Sequence, residues 1–359
     1  YMSMYVLVMY CGLMFVQVDE SGRNRIVWPA IDYCGPDPLL VNIKERDECD
    51  MILESRMLDM TNITPRGKQI LSTELGMKAI PRICTNKRNK NKNKKERMGM
   101  NRRLEMKADV VVIGSGCGGS VVAAKLAEKG YKVVVMEKGK YFPRVENRLL
   151  EGASSTDLYE LGSNLSTDDL SVFIFAGATV GGGSTVNWSA SFKTPAHVRR
   201  EWADPNGQHG LELFESETYS RAMDEVCKRI GVQEEVEGGA GAESLANAML
   251  RKGCEKLGLD VGWVPRNAGR DHLCGWCGMG CKSGGKMSTA RTWLVDAANR
   301  GALILSGCEA RRVKMERTTA AAAAAAATMS PSPGKKEGKK RWRAVGVVAR
   351  VVASRRNAT

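Results

Sequence analysis

The sequence predicts an α/β fold built on a parallel sheet. The prediction rests on an apolar run ending in glycine (ADVVVIG, residues 108–114), a small-residue helical stretch (SVVAAKLAEKG, 120–130) and a second apolar run (YKVVVMEKG, 131–139). Parallel strands are buried on both faces, so they read as continuous Val/Ile runs rather than as alternation. The intervening stretch places Val122, Leu126 and several alanines on an expected packing face, and Gly130 supplies a stop. A strand–loop–helix–strand unit of this kind is Rossmann-like.

The remaining elements are weaker. Residues 18–80 show little periodicity and no recognisable site. YSRAMDEVCKRIG puts Ala222, Val226 and Ile230 on one helical face, and ESLANAMLRKGCEKLG does the same with Leu245, Met249 and Leu257. TARTWLVDAANRG reads as a short helix, ALILSG as a strand, and AVGVVARVVA, from Ala344, as a last strand-like run. Residues 86–97 (NKRNKNKNKKER) and the alanine run 320–327 with its MSPSPGKKEGKK sequel are low complexity, unsuited to a packed core. The chain thus divides into a poorly patterned region 1–107 ending in a Lys/Asn-rich linker, a folded region 108–313, a low-complexity insert 314–341 and a strand-like remnant 342–359.

The formal charge of +14 could suggest a nucleic-acid partner, but its distribution argues otherwise. Residues 81–107 hold eleven Lys/Arg against two Glu, and residues 335–359 hold nine against one, which leaves the rest slightly acidic. No nucleic-acid partner is expected. The odd number of cysteines, eleven, in a chain of 359 residues argues against a disulfide-stapled secreted domain and for a reducing compartment. The first seventeen residues are almost wholly apolar. They fall short of the roughly 20 residues of a membrane helix, and a cropped membrane segment, a buried strand pair and a stretch without native structure all remain open.

The loop at 114–119 reads GSGCGG. Gly114, Gly116 and Gly119 fit GxGxxG: a tight turn, a close approach of backbone to a pyrophosphate, and a close helix–strand contact. The pyrophosphate would rest on amides at the helix N-terminus, where the dipole favours negative charge. Glu137, 23 residues after Gly114, ends the second strand, where a carboxylate can accept hydrogen bonds from the adenosine ribose. A second glycine cluster, AGATVGGGSTVNWSASF (176–192), follows about 60 residues later. Two backbone-approach stretches suit an extended cofactor, FAD better than NAD.

The pair GSGCGG and AGATVGGGSTVNWSASFKTPAHVRREWA resembles the glucose–methanol–choline (GMC) family of FAD oxidoreductases, and within it the long-chain alcohol oxidases. LFESETYSRAMDEVCKRIGV, HLCGWCGMGCKSGGK and TARTWLVDAANRGALILSGCEARRV extend the similarity over roughly 108–313. The resemblance implies a GMC-type FAD-binding domain with an incomplete substrate domain. It implies that Gly114, Gly116 and Gly119 hold the FAD pyrophosphate, that Glu137 binds the ribose, and that Gly181, Gly182, Ser184 and Asn187 form the second FAD-contacting motif. The implied reaction oxidises a long-chain primary alcohol by hydride transfer to flavin N5. Electrons then pass to O2, giving an aldehyde and hydrogen peroxide. Membrane association, intracellular, is implied for so apolar a substrate. Another GMC-type alcohol or choline-like dehydrogenase, or an inactive flavin-binding fragment, is the alternative.

Alcohol oxidation needs a base, and histidine is the usual choice near neutral pH. The chain has three, His197, His209 and His272. The first two read as surface or turn residues. The resemblance places the catalytic histidine near the far C-terminus of the family, so the chain is expected to be C-terminally incomplete and no catalytic residue is assigned. His272, Cys274, Cys277 and Cys281 form H-x-C-x2-C-x3-C. The spacing is neither an ordinary two-knuckle zinc site nor a ferredoxin run, and a glycine-rich loop with packing or disulfide roles is favoured. No metal ligand is assigned.

Overall fold

A computed structural model describes residues 43–81, 102–147, 149–207, 210–234, 245–269, 272, 276–317 and 342–352. The initial apolar run, the Lys/Asn-rich linker, the alanine run, His209 and Cys274 lie outside the described residues. The strands are β1 (Met57–Asp59), β2 (Lys78–Pro81), β3 (Arg102–Glu105), β4 (Val110–Ile113), β5 (Val133–Met136), β6 (Leu303–Ser306), β7 (Cys308–Arg317) and β8 (Trp342–Val351). The α-helices are α1 (Glu48–Arg56), α2 (Pro65–Leu75), α3 (Cys117–Glu128), α4 (Glu151–Leu158), α5 (Gly183–Val186), α6 (Ala196–Ala203), α7 (Glu217–Arg229), α8 (Leu245–Lys256) and α9 (Trp293–Asn299).

The central sheet has the order β1-β6-β5-β4, with every pairing parallel. Parallel neighbours need a crossover, and α3 provides it between β4 and β5. The alternation of β5 divides the core. Val133 and Val135 face a layer of α3, α9 and α1, with Ala123, Ala124, Ala127, Trp293, Leu294 and Leu53 buried there. Val134 faces the other layer, with Leu303, Leu305, Leu58 and, from α2, Leu71 and Leu75. The antiparallel pairs β2–β3 and β7–β8 lie outside the sheet.

Three expectations change. The packing face of α3 is Ser120, Ala123, Ala124 and Ala127, while Val122 is exposed. Small side chains let the helix approach the sheet closely, so the valine is turned outward. On α8 and just after it, Met249 and Leu257 are exposed rather than packed. Residues 43–81, unpatterned in sequence, supply an edge strand and a helix on each face of the sheet. Thr64 and Asp47 cap those helices by accepting from the Gly67 and Asp50 amides. The expectation of membrane association is corrected as well. Among the described residues, no helix is long and apolar enough to cross a membrane.

Candidate FAD-binding site

The site forms at the carboxyl ends of β4 and β5, where a parallel sheet opens its loops to ligands. Gly114 turns the chain out of β4 at φ +88°, a left-handed value that disfavours a side chain. Its amide donates to the Met136 carbonyl at 2.8 Å, which ties the loop to β5. Gly116 is the N-cap residue of α3 and offers no side-chain cap. The first-turn amides of a helix have no intrahelical acceptors, so an uncapped start favours an anion. At Gly119 a Cβ would fall 2.0 Å from the Gly114 carbonyl oxygen, so only glycine lets helix and loop meet. At Gly116 and Gly118 a Cβ would meet nothing within 4 Å. The loop is therefore crowded at Gly119 and open at Gly116 and Gly118.

The second glycine stretch docks directly on this loop. Val180 donates its amide to the Lys140 carbonyl at 3.0 Å, which anchors the stretch just beyond β5. Gly181 (φ +91°) and Gly182 (φ +55°) then reverse the chain. A Cβ on Gly182 would stand 3.0 Å from the Gly116 Cα, and the Gly181 amide donates to Ser115 Oγ at 3.0 Å. Ser184 Oγ donates to the Gly181 carbonyl at 2.7 Å and accepts from the Thr289 amide at 3.0 Å. Asn187 is exposed at the end of α5, where its Oδ1 accepts from the Ser189 amide at 3.3 Å.

Glu137 is buried at the end of β5. Its Oε2 accepts from the Ser115 amide at 2.9 Å and from Ser115 Oγ at 2.7 Å. Its Oε1 accepts from the Gly139 amide at 2.8 Å. An ionised carboxylate offers about four acceptor positions, so these three donors leave one for a hydroxyl. The residue therefore knits the loop to β5 and keeps one acceptor position. A glycine cradle, an uncapped helix start and a carboxylate with remaining capacity fit the adenosine and pyrophosphate parts of FAD.

The eight predicted residues thus lie on three segments, the loop after β4, the end of β5 and the stretch 181–187, joined through Ser115 and by the approach of Gly182 to Gly116. Sequence reasoning missed the residues that bind the segments together. Ser115 is fully buried and links Glu137 to Gly181. Thr289 Oγ1 donates to the carbonyls of Ser115 and Gly181, at 3.3 Å each. Lys286 is also fully buried, its Nζ donating to the carbonyls of Thr185 (2.7 Å), Asn187 (2.8 Å) and Cys277 (3.0 Å). The nearest signal in the sequence is Ser115 inside GSGCGG. Nothing in the pattern points to Thr289 or Lys286.

The two described histidines lie on different elements. His197 is exposed in the first turn of α6. His272 is buried beside the Lys286 segment, its Nε2 3.6 Å from Cys277 Sγ and 3.8 Å from Cys281 Sγ, its Nδ1 3.0 Å from Ser283 Oγ. Burial alone would raise the Cys281 thiol. Its contacts with His272, Ser283 and the Lys286 amide outweigh that and bring it down to about 6. Cys277 is lowered as well: burial opposes the shift, and contacts with His272 and Ser189 prevail. No group of three or more His, Cys, Asp or Glu able to hold a metal occurs among the described residues.

Comparison with known proteins accounts for this arrangement. A family model for the FAD binding domain matches residues 109–144, which contain the first loop and Glu137. A model for GMC oxidoreductase matches residues 155–357. Long-chain-alcohol oxidase FAO4A of Arabidopsis thaliana is 44% identical over 84% of this chain and 41% of its own length. FAO3 of the same plant is 39% identical over 96% of this chain and 41% of its own, and FAO1 41% identical over 86% and 37%. The chain therefore spans about two fifths of the length of these curated relatives. With its FAD-binding region at 109–144 and more than half of its length matching the family model, the chain belongs to the GMC oxidoreductase family.

Proposed function

We propose that this chain forms the FAD-binding part of a long-chain-alcohol oxidase. The reaction is oxidation of a primary alcohol to the aldehyde, with O2 reduced to hydrogen peroxide. The observation that carries the reading is the junction of the two glycine segments through Ser115, with Gly182 against Gly116. The relatives named as long-chain-alcohol oxidases direct the choice of substrate.

Gly114, Gly116 and Gly119 cradle the pyrophosphate, and the start of α3 supplies its amides. Glu137 uses its remaining acceptor position for an adenosine ribose hydroxyl. Gly181, Gly182, Ser184 and Asn187 present backbone and short polar groups toward the flavin end. Lys286 keeps that segment in place through its carbonyls. Bound FAD supplies the hydride acceptor. No described histidine stands at the glycine cradle in a way that assigns it the alcohol proton, so the catalytic base is left outside this proposal.

The test is purification of the chain, a visible flavin spectrum, and peroxide release with a long-chain primary alcohol against choline and a short alcohol. Flavin with peroxide release selective for the long chain supports the proposal. Flavin with turnover of choline alone would place the chain with another GMC activity. Flavin without turnover would restrict this chain to cofactor binding, and absence of flavin would refute the reading of the cradle.

A further inference from the structure

The nucleotide cradle makes no use of the thiols at 277 and 281, yet they are the least ordinary thiols among the described residues. Both sulfurs lie within 3.8 Å of one imidazole nitrogen, His272 Nε2. The other nitrogen of that ring is engaged by Ser283 Oγ at 3.0 Å, which fixes the ring plane between the two cysteines. The Lys286 amide donates to Cys281 Sγ at 3.2 Å, an added donor that stabilises a thiolate there. Gly280 (φ +81°) makes the turn that brings Cys281 back toward Cys277. Both cysteines are partly exposed, so a small oxidant can reach them, whereas Cys308 is buried and its thiol is pushed up to about 11 by burial.

The structure assigns to this chain a peroxide-sensitive dithiol in which Cys281 is oxidised first and Cys277 resolves it to a disulfide. In the first step the Cys281 thiolate attacks one oxygen of hydrogen peroxide. The O–O bond breaks, hydroxide leaves and takes the proton of the His272 imidazolium, and Cys281 becomes a sulfenic acid. In the second step the neutral imidazole takes the Cys277 proton, and the Cys277 sulfur attacks Cys281. The S–S bond forms, the S–O bond breaks, and hydroxide leaves as water with the proton from His272. Two thiols are oxidised and one peroxide is reduced to two waters. The low value at Cys281 agrees with its role as the attacking thiolate.

The pair is mechanically joined to the flavin-side segment. The carbonyl of Cys277 accepts from the same Lys286 Nζ that holds the carbonyls of Thr185 and Asn187. Cys277 Sγ also lies 3.5 Å from Ser189 Oγ. Closing the disulfide repositions the Cys277 sulfur beside Ser189 and loads this clamp, so oxidation weakens FAD binding. Peroxide as the signal rests on the oxidase reading above, in which it is the product; the thiol chemistry itself does not.

The experiment treats the reduced chain with hydrogen peroxide and maps thiols by tandem mass spectrometry of the peptide 271–282. A Cys277–Cys281 disulfide is expected in the wild type. A Cys281 sulfenic acid trapped by dimedone is expected in C277S, and neither in C281S. H272N should slow the first step at least about tenfold. A disulfide that uses Cys274, or a Cys281 that reacts no faster than the exposed Cys117, would overturn the assignment. Titration with FAD should show about fivefold weaker binding after oxidation, restored by dithiothreitol. Equal affinity in the two states would overturn the coupling. No flavin binding in the reduced chain would sink the cofactor reading, while the mass map still decides the dithiol.

Discussion

Gly119 tests the cradle most sharply, because its neighbour Gly118 serves as a matched control. A Cβ at 119 would stand 2.0 Å from the Gly114 carbonyl oxygen, 3.1 Å from its carbonyl carbon and 3.3 Å from Val112 Cγ1. Two of these atoms are backbone of the loop, so no side-chain rotation relieves the clash. Helix α3 and the turn must separate by at least ~1 Å, against a core in which Ala123, Ala124 and Ala127 are almost fully buried. Overpacking of this kind costs about 1–3 kcal/mol, and G119A belongs at or above the upper end because nothing nearby can yield. G118A lies in the same helical turn with nothing within 4 Å of its Cβ. It should be neutral to stabilising, by up to about 1 kcal/mol, since alanine is the better helix former. Urea unfolding of the two variants, with flavin content read on the same samples, gives the contrast. Unfolding of G119A at the wild-type midpoint with full flavin retention would refute the close-contact argument. Loss of flavin in G118A with unchanged stability would instead place ligand against that Cβ direction.

Three further outcomes follow from the same geometry. In Glu137→Gln, whichever way the amide is turned, its NH2 faces a backbone N–H, that of Ser115 or of Gly139. A loss of about 1–3 kcal/mol and poorer FAD retention are expected in calorimetry and flavin titration, and unchanged values would mean that the carboxylate charge is not needed. Lys286→Met leaves three carbonyls without their shared donor, and about 3 kcal/mol of stability should go in denaturant titration; unfolding at the wild-type midpoint would remove Lys286 as a clamp. Burial opposes the lowering of the Asp47 carboxyl, but the Asp50 amide and Arg291, 2.7 Å away, carry it below its ordinary 3.8. A depressed carboxyl contributes stability that is present above the unfolded value and is lost as pH falls through the folded value. Unfolding midpoints should therefore drop below about pH 4 in the wild type and drop less in Asp47→Asn.

The nucleotide-binding unit was legible because its physics is local. A buried parallel strand must be apolar on both faces, a turn at φ +88° calls for glycine, and a helix pressed on a sheet calls for alanine. Each demand leaves a mark within a few residues, so β4, α3, β5 and the eight proposed FAD contacts could be named from sequence. Their family followed from the order of such marks along the chain. Tertiary structure alone decided what those marks do to one another. Ser115, Thr289 and Lys286 act over separations of 66, 108 and 101 residues, and a serine, a threonine or a lysine bears no local sign of the distant carbonyl or amide it will meet. The edge strand from residues 57–59 stayed hidden for a related reason: three residues are too few to show a period, and only the parallel register with Leu303–Ser306 makes them a strand.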